Sequence, residues 1–329
     1  MFSFLRQGIS QEIVRISGHC LGWFGAGDVL ADIRTPGPGS GGVRAWSQDS
    51  AATGASATGL DAAAAVIYEW VMHETHSLVG LRLDGKVAWV TGSSRGLGKA
   101  IAVLLAKLGA KVVVNCFSNI ALGQAVVDEI TADGGQALLV AGDVMDAAEI
   151  QRMAEEIEAH WGGVDILVTN ATPPQPMKWI ADYEWSEYQS MYDAFVKSPF
   201  LLAQRLLPGM KASRWGRIVQ ITSEVFHEGM PEFSAYVAAK GAQVGWSRSM
   251  ANELAAEGIT VNCVAPGWIP VERHEAVPQE AKDAYVKTIP VGHWGTPLDV
   301  AWAVAWFASP QAGFLTGQTL VVNGGRTMH

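Results

Sequence analysis

The chain has 329 residues, of which 49% are apolar and 17% are charged. This length allows one large α/β domain or two ordinary ones, and the apolar share excludes a chain that is disordered throughout. Acidic residues outnumber basic ones by 32 to 23, which gives a net charge of −9 and argues against a nucleic-acid-binding domain. The three cysteines (Cys20, Cys116 and Cys263) have no metal-ligand spacing and are too few for a disulfide framework.

The N-terminal segment and the apolar runs bear on localisation. No stretch reaches the roughly 18 consecutive apolar residues that a membrane span needs, so we expect no membrane partner. Arg6, Glu12 and Arg15 interrupt what would be the apolar core of a secretory signal. The two arginines leave a mitochondrial presequence open, although Glu12 weakens that interpretation. We predict a cytoplasmic protein with neither a bound metal nor a nucleic-acid partner.

The composition of the chain changes near residue 80. Residues 31–66 are mostly Gly, Ala, Ser, Thr and Pro, which is typical of a flexible linker because such a segment buries little apolar surface. A weak helical pattern precedes this stretch within residues 3–30. After it, Asp61 is in position to cap a short helix with the sequence AAAAVIYEWVMHE.

All ten lysines of the chain follow this change, from Lys86 onward. We therefore predict that residues 1–80 are an N-terminal extension, partly flexible. Three interpretations of it stay open: an accessory or oligomerisation arm, a targeting segment, or an upstream extension that is not part of the native protein, with Met72 as the true start. Residues 81–329 are predicted to form a single domain.

Strands and helices alternate from residue 81 onward. The strands are apolar along their whole length, which indicates a parallel sheet that is covered on both faces. Strands are predicted at 87–90, 111–117, 137–144, 166–170, 217–223, 260–266 and 319–325, and helices around 99–108, 121–133, 147–160, 184–212 and 234–257. The predicted fold class is α/β, a doubly wound seven-stranded parallel sheet (Rossmann fold) with helices on both faces.

A glycine-rich turn follows the first strand of this pattern. Its sequence is TGSSRGLG, from Thr91 to Gly98, and a helix follows it. Glycines allow the backbone to turn tightly and to approach a pyrophosphate at a helix N-terminus. The glycine spacing alone also fits an ordinary turn, but the strand before it and the helix after it favour a dinucleotide site.

Four motifs resemble those of the short-chain dehydrogenase/reductase family. TGSSRGLG is similar to that family's TGxxxGxG fingerprint, and Tyr236 with Lys240 matches its YxxxK motif. Ser223 precedes Tyr236 by 13 residues, which is the family's spacing for its catalytic serine. NCVAPGW at 262–268 resembles the family's PG segment. The resemblance covers about residues 82–326 and is greatest to the 3-oxoacyl-[acyl-carrier-protein] reductase type.

The resemblance implies a nicotinamide cofactor and a catalytic domain over residues 81–329, with a lid at about 267–295. The implied cofactor contacts are Gly92, Ser94, Arg95, Gly96, Leu97, Gly98, Asn115, Ser118, Asp143, Val144, Asn170, Ala171, Tyr236, Lys240, Pro266, Gly267 and Ile269. Asp143 has an alternative interpretation as the cap of the next helix. Within the lid, Arg273 could bind an acidic group of the substrate, although a solvated, mobile loop is the simpler interpretation. Glu224, beside the catalytic serine, would disfavour an anionic substrate.

The end of the second strand bears on which nicotinamide cofactor is used. NAD sites usually place an acid there, which binds the ribose hydroxyl, whereas this sequence has Asn115-Cys116-Phe117-Ser118. No carboxylate is therefore present to repel a 2′-phosphate. Arg95 and Ser118 could bind that phosphate, or Arg95 could be a solvated loop charge. We predict that NADP(H) is preferred over NAD(H).

The predicted reaction interconverts a carbonyl and a secondary alcohol by hydride transfer. A tyrosine hydroxyl has a pKa of about 10, and a lysine four residues along the helix lies on the same face. We expect the positive charge of Lys240 to move the pKa of Tyr236 toward neutrality. The resemblance implies that Tyr236 protonates the alkoxide and that Ser223 holds the oxygen. The substrate is predicted to be a small carbonyl or alcohol compound, with 3-oxoacyl thioesters as candidates.

Three positions depart from the family's pattern. Thr169 and Thr172 replace the outer residues of its NNAG motif, Phe195 takes the place of a catalytic asparagine, and Val271 replaces a threonine of the PG segment. The asparagine holds a water that links the lysine to solvent, so its loss puts the proton relay in doubt. The alternative function is therefore a nucleotide-binding regulatory or structural protein on the same fold, with weak or no turnover. Relatives pair the helices around 184–212 and 234–257 across subunits, which implies a homodimer or homotetramer.

Overall fold

The computed structural model of the chain describes residues 15–16, 32–33 and 80–328. By its contacts the chain divides into two units, Met1–Val79 and Gly80–His329. In the first unit, strands β1 (Arg15–Ile16) and β2 (Asp32–Ile33) pair in parallel. Ile16 belongs to the stretch with a weak helical pattern, so the helix prediction is wrong at that residue. The helix predicted after Asp61 lies outside the described residues.

The second unit contains a seven-stranded sheet in which all neighbouring strands are parallel. Its spatial order is β5-β4-β3-β6-β7-β8-β9. The strands are β3 (Val87–Val90), β4 (Lys111–Cys116), β5 (Gln136–Ala141), β6 (Ile166–Thr169), β7 (Gly216–Ile221), β8 (Ile259–Pro266) and β9 (Thr319–Val322). The predicted seven-stranded Rossmann fold is confirmed, and each predicted strand overlaps an observed one.

Helices cover both faces of the sheet. They are α1 (Gly96–Lys107), α2 (Ile120–Ala132), α3 (Ala147–Trp161), α4 (Trp185–Tyr192), α5 (Ser198–Ser213), α6 (Val225–Glu228), α7 (Ser234–Leu254), α8 (Gln279–Val286) and α9 (Pro297–Ala308). A π-helical turn, Asp193–Lys197, joins α4 to α5. None of the helices in the described part of the chain is long and apolar enough to cross a membrane.

Alternate residues of the central strands belong to two separate apolar cores. In β3, Ala88 and Val90 pack into the core that α1, α2 and α9 cover, whereas Val87 and Trp89 pack into the core beneath α3, α5 and α7. A strand that is buried on both faces needs apolar side chains at every position. This requirement explains why the strands are apolar throughout rather than alternating with polar residues.

The strand order reverses between β3 and β6. β4 and β5 extend the sheet to one side of β3, and β6 begins the other side. The loops after β3 and β6 therefore leave the sheet in opposite directions and open a crevice at its carboxyl edge. The glycine-rich turn 91–98 follows β3, and Asn170 and Ala171 follow β6 directly, so the fold brings these two predicted segments together.

A glycine-to-alanine pair tests the packing of this turn. A Cβ on Gly98 would overlap Gly92 O and lie 2.5 Å from Asn170 Nδ2, whereas a Cβ on Gly209, in helix α5, would meet nothing within 4 Å. We expect Gly98→Ala to reduce the free energy of unfolding by about 2 kcal/mol because the turn is overpacked. The matched variant Gly209→Ala should instead gain up to about 1 kcal/mol of helix propensity. Urea unfolding measures both, and equal midpoints would contradict the close packing of the turn.

Candidate active site

A cleft of about 1350 Å³ opens at the carboxyl edge of the sheet. Most of the predicted site residues line it: Gly92, Ser94, Arg95, Gly96, Leu97, Gly98, Asn115, Ser118, Asp143, Val144, Asn170, Ala171, Ser223, Tyr236 and Gly267. Lys240, Pro266 and Ile269 were also predicted to contact the cofactor but are not among the lining residues. Pro266 ends strand β8, and Ile269 packs into the core with α1 and α9.

The glycine-rich turn is held from within by Asn170 and Thr91. Asn170 Nδ2 donates to Thr91 O at 2.9 Å and to Gly92 O at 3.0 Å, while Thr91 Oγ1 accepts from the backbone N–H groups of Asn170 and Ala171. Gly92 has φ +60°, and a Cβ on it would lie 2.8 Å from Ala171 Cα. The turn therefore requires glycine and brings the backbone to the surface of the cleft.

The start of helix α1 in this turn accepts negative charge. Glu272, from the segment after the PG turn, places Oε1 3.4 Å from Gly96 N, the first N–H of the helix. A carboxylate of the chain itself thus lies where backbone N–H groups and the helix dipole favour an anion. Together with the close backbone approach at Gly92, this arrangement fits the pyrophosphate of a dinucleotide.

Two polar residues on the β4–β5 side support the cleft wall. Asn115 is buried, accepts from Gly92 N through Oδ1 and donates to Val140 O and Gly142 O. The Asn115 side chain therefore fixes the backbone of the cleft wall through these hydrogen bonds. Asp143 accepts from Met145 N, whereas the cap of α3 is Asp146. The alternative interpretation of Asp143 as that cap is wrong.

Tyr236 lies in the cleft wall between two aromatic rings. Its ring stacks on Phe233, with centroids 4.6 Å apart, and meets Phe195 edge-on at 5.3 Å. The residue is only 7% exposed. Burial raises the pKa of Tyr236 to about 12, against the opposing effects of the Arg273 charge and a hydrogen bond with Ser223. The expected shift of this pKa toward neutrality is therefore wrong for the protein without its ligands.

Lys240 lies behind Tyr236 and is 3% exposed. Its Nζ donates to Ile221 O at 2.8 Å and to Gln243 Oε1 at 3.1 Å, and it lies 3.6 Å from the ring centroid of Phe195. Burial lowers the pKa of Lys240 well below its ordinary value. The ammonium thus faces the interior. In this arrangement Lys240 does not line the cleft, where its predicted contact with the cofactor would be made.

Phe195 stands on the π-helical turn Asp193–Lys197. Such a turn inserts an extra residue into a helix and changes the direction in which the side chains point. Here it brings the ring of Phe195 against both Tyr236 and Lys240. The ring therefore covers one side of the ammonium and offers it no oxygen or nitrogen acceptor.

Glu224, the residue after Ser223, joins three segments that are distant in sequence. Its carboxylate accepts from Tyr285 Oη at 2.6 Å, from Asn323 Nδ2 at 2.8 Å and from Arg326 Nη1 at 2.9 Å. Tyr285 Oη in turn accepts from Trp268 N at 2.7 Å. Glu224 is 2% exposed, so it is a neutralised anchor rather than a free charge that repels anions.

The expectation that Glu224 would disfavour an anionic substrate is therefore wrong. Sequence reasoning also missed its partners, Tyr285, Asn323 and Arg326. Hydrogen bonds over separations of 61 to 102 residues leave no periodic pattern that a single sequence can reveal. Across the described residues, no group of three or more His, Cys, Asp and Glu side chains is arranged to hold a metal ion.

Comparisons with known proteins identify the relatives of this chain. The family model described as Enoyl-(Acyl carrier protein) reductase matches residues 92–327. The 3-oxoacyl-[acyl-carrier-protein] reductase of Vibrio cholerae is 40% identical over 250 residues, which are 75% of this chain and 100% of that protein. The Haemophilus influenzae protein of the same name is 39% identical over 245 residues, 74% of this chain and 98% of that protein. A dehydrogenase/reductase crystal structure from Sinorhizobium meliloti, 35% identical, superimposes with a TM-score of 0.69 over 75% of this chain and 97% of that one.

The burial of Tyr236 predicts a late titration of its hydroxyl. In the protein without ligands we expect Tyr236 to stay protonated up to a pKa of about 12, because the interior disfavours tyrosinate. Nuclear magnetic resonance of protein labelled with ¹³C at tyrosine Cζ measures this value, and the resonance absent from Tyr236→Phe identifies the signal. A midpoint at or below the ordinary value of about 10 would contradict the desolvated site.

Proposed function

The chain belongs to the short-chain dehydrogenase/reductase family, and we propose that Tyr236, Ser223 and Lys240 are its catalytic set. The observation that carries this proposal is the hydrogen bond between Ser223 and Tyr236 in the cleft that the glycine-rich turn also lines. In this assignment the enzyme interconverts a carbonyl and a secondary alcohol. A nicotinamide cofactor supplies or accepts the hydride when it is bound.

The protein's own groups handle the oxygen and the proton. Ser223 donates a hydrogen bond to the substrate oxygen, which favours the negative charge that develops there. Tyr236 gives its hydroxyl proton to that oxygen in the reducing direction and takes it back in the oxidising direction. Because the pKa of Tyr236 is raised to about 12, the free enzyme holds its acid form at neutral pH. This is the protonation state that carbonyl reduction requires of the proton donor.

Side chains at the far end of the cleft support a preference for NADP(H). Strand β4 ends without a carboxylate, and Arg95 and Ser118 line the same part of the cleft in exposed positions. A guanidinium binds a phosphate through charge-assisted hydrogen bonds, and a hydroxyl can add one more. In this proposal Arg95 and Ser118 bind the 2′-phosphate. Gly92, Gly96, Asn170 and Ala171 shape the pyrophosphate and ribose part of the site.

The substrate part of the cleft is largely apolar. Pro173, Pro174, Met177, Val225 and Met230 line it on the side of Ser223. Such a wall suits an acyl chain, and the curated relatives bear the name of 3-oxoacyl-[acyl-carrier-protein] reductases. We therefore place 3-oxoacyl thioesters first among the candidate substrates, with Arg273 and the segment 267–295 forming the lid.

The remaining assignments concern the whole protein. Residues 81–329 form the catalytic domain in this proposal, and residues 1–80 are an extension to it. A homodimer or homotetramer through the helices at 184–212 and 234–257 would cover apolar side chains such as Trp185, which is 71% exposed. The low cysteine content supports a cytoplasmic location.

Turnover and its loss in a tyrosine variant test the catalytic assignment. We expect NADPH oxidation with a panel of short and long 3-oxoacyl thioesters, diketones and simple ketones. Tyr236→Phe should lower kcat at least about 10³-fold, since general acid catalysis contributes about 10²- to 10⁴-fold. The control Tyr188→Phe removes a hydroxyl that donates to Ser234 outside the cleft and should keep most of the activity. Full activity in Tyr236→Phe would refute the assignment.

A charge-removal variant tests the cofactor proposal. Arg95→Ala should lower kcat/KM for NADPH at least about 10-fold and leave that for NADH nearly unchanged, because only NADPH carries the phosphate. The matched control is Lys99→Ala, which removes a nearby positive charge that pairs with Glu129. Steady-state kinetics with both cofactors measures the effect. Equal losses with NADPH and NADH would show that Arg95 does not recognise the phosphate.

A further inference from the structure

The buried ammonium of Lys240 lacks a counterion. Within residues 80–328, no carboxylate forms an ion pair with it, although its exposure is only 3%. A charge in the interior is costly unless polar partners replace the water that it has lost. The three N–H groups of an ammonium therefore need acceptors nearby. The groups that surround Nζ decide whether Lys240 can remain charged beneath Tyr236.

Only two oxygen acceptors are in hydrogen-bond contact with Nζ in the described structure. One is Ile221 O at 2.8 Å, at the end of strand β7, and the other is Gln243 Oε1 at 3.1 Å. The third side of the ammonium faces the ring of Phe195 at 3.6 Å, a cation–π contact that is weaker than a hydrogen bond to a full acceptor. Gln243 is thus the one side chain that offers the ammonium a hydrogen-bond acceptor.

Gln243 is placed for this contact by helix α7. It follows Lys240 by three residues, so both side chains lie on the same face of the helix. Gln243 is itself 2% exposed. A buried glutamine needs a polar partner of its own, and the amide oxygen finds one in the ammonium. This reciprocal requirement explains a long amide side chain at an interior position of helix α7.

Phe195 makes the Gln243 amide necessary as a hydrogen-bond acceptor for Lys240. The ring of Phe195 covers one side of the ammonium and has no oxygen or nitrogen to offer. With that side closed, the ammonium depends on the acceptor from its own helix. Phe195 and Gln243 therefore act together, because the amide oxygen of Gln243 supplies the hydrogen-bond acceptor that the ring of Phe195 cannot offer.

We propose that Gln243 is a positioning residue for the reaction, which holds Lys240 charged and fixed behind Tyr236 in place of the missing asparagine. This inference rests on the proposed function, because it gives Gln243 a part in catalysis through Lys240 and Tyr236. Gln243 itself touches neither the cleft nor the reacting atoms.

The other groups around Lys240 do not replace this acceptor. Tyr236 on α7 keeps its proton at neutral pH, and burial raises the pKa of the Cys263 thiol on β8. The thiol also lies within hydrogen-bond distance of Ser247 Oγ. Arg273, from the turn after the PG segment, carries a positive charge that opposes protonation of Lys240. Strand β7 contributes the backbone oxygen of Ile221, and the π-helical turn contributes the ring of Phe195.

Titration of Lys240 in glutamine variants tests the proposal without requiring a substrate. Protein labelled with ¹³C at lysine Cε reports the midpoint, and the resonance lost in Lys240→Met identifies the signal. Gln243→Met keeps the length of the side chain but removes the amide oxygen, so the midpoint should fall by about 1 pH unit. Gln243→Glu adds a negative charge and should raise it. A residue that merely fills space would leave the midpoint unchanged in Gln243→Met.

Gln220→Met provides a matched control for the loss of a buried amide. Gln220 lies on β7 and donates to Ser247 Oγ, without a contact to Lys240. The Lys240 midpoint should stay where it is in this variant. If Gln220→Met and Gln243→Met shift it equally, the effect is general to the interior and the proposal is overturned. Thermal unfolding of each variant confirms that the compared proteins are folded.

Turnover separates this proposal from the function on which it rests. In Gln243→Met we expect kcat for reduction of an acetoacetyl thioester by NADPH to fall at least about 10-fold, with KM nearly unchanged. A shifted Lys240 midpoint with an unchanged kcat would overturn the catalytic part of the proposal. If the wild-type protein reduces none of the panel compounds, the proposed function fails, and the catalytic role of Gln243 is rejected with it.

Discussion

All seven strands of the sheet run in the same direction, so their carboxyl ends lie along one edge. The candidate site depends on this constraint. Because the strand order reverses between β3 and β6, two loops diverge there and leave room for a ligand. The glycine-rich turn, the Asn170 segment, Ser223 and the PG turn all follow strands of this sheet directly. Tyr236 instead reaches the cleft from within a helix, α7.

The strands and the motif-bearing loops were predictable because their physical requirements are local. A strand buried on both faces must be apolar throughout, and a turn that touches a neighbouring backbone must be glycine. Helices α6, α8 and α9 were not predicted. Helix α9 carries a readable signal, the capping box of Thr296 and Asp299, whereas α6 is only one turn long and half of the residues of α8 are polar.

The electrostatics of the site could not be read from spacing. The four-residue interval between Tyr236 and Lys240 indicates a shared helix face, but the pKa of each group depends on how much water the fold removes from it. Phe195 and Phe233 enclose Tyr236, and Phe195 also covers Lys240. Burial therefore raises the pKa of Tyr236 and lowers that of Lys240. The contacts that decide this outcome come from a π-helical turn and a loop, neither of which periodicity predicts.

The anchor at Glu224 has a consequence for redesign of the enzyme. A single carboxylate fixes the loop that carries Ser223 to Tyr285 in α8 and to Asn323 and Arg326 beyond β9. The stretch between Arg273 and Tyr285, which includes most of α8, is consequently fixed at its end by Tyr285. Variant libraries aimed at substrates of different size can therefore change the length and sequence of this stretch, as long as the position of Tyr285 is kept.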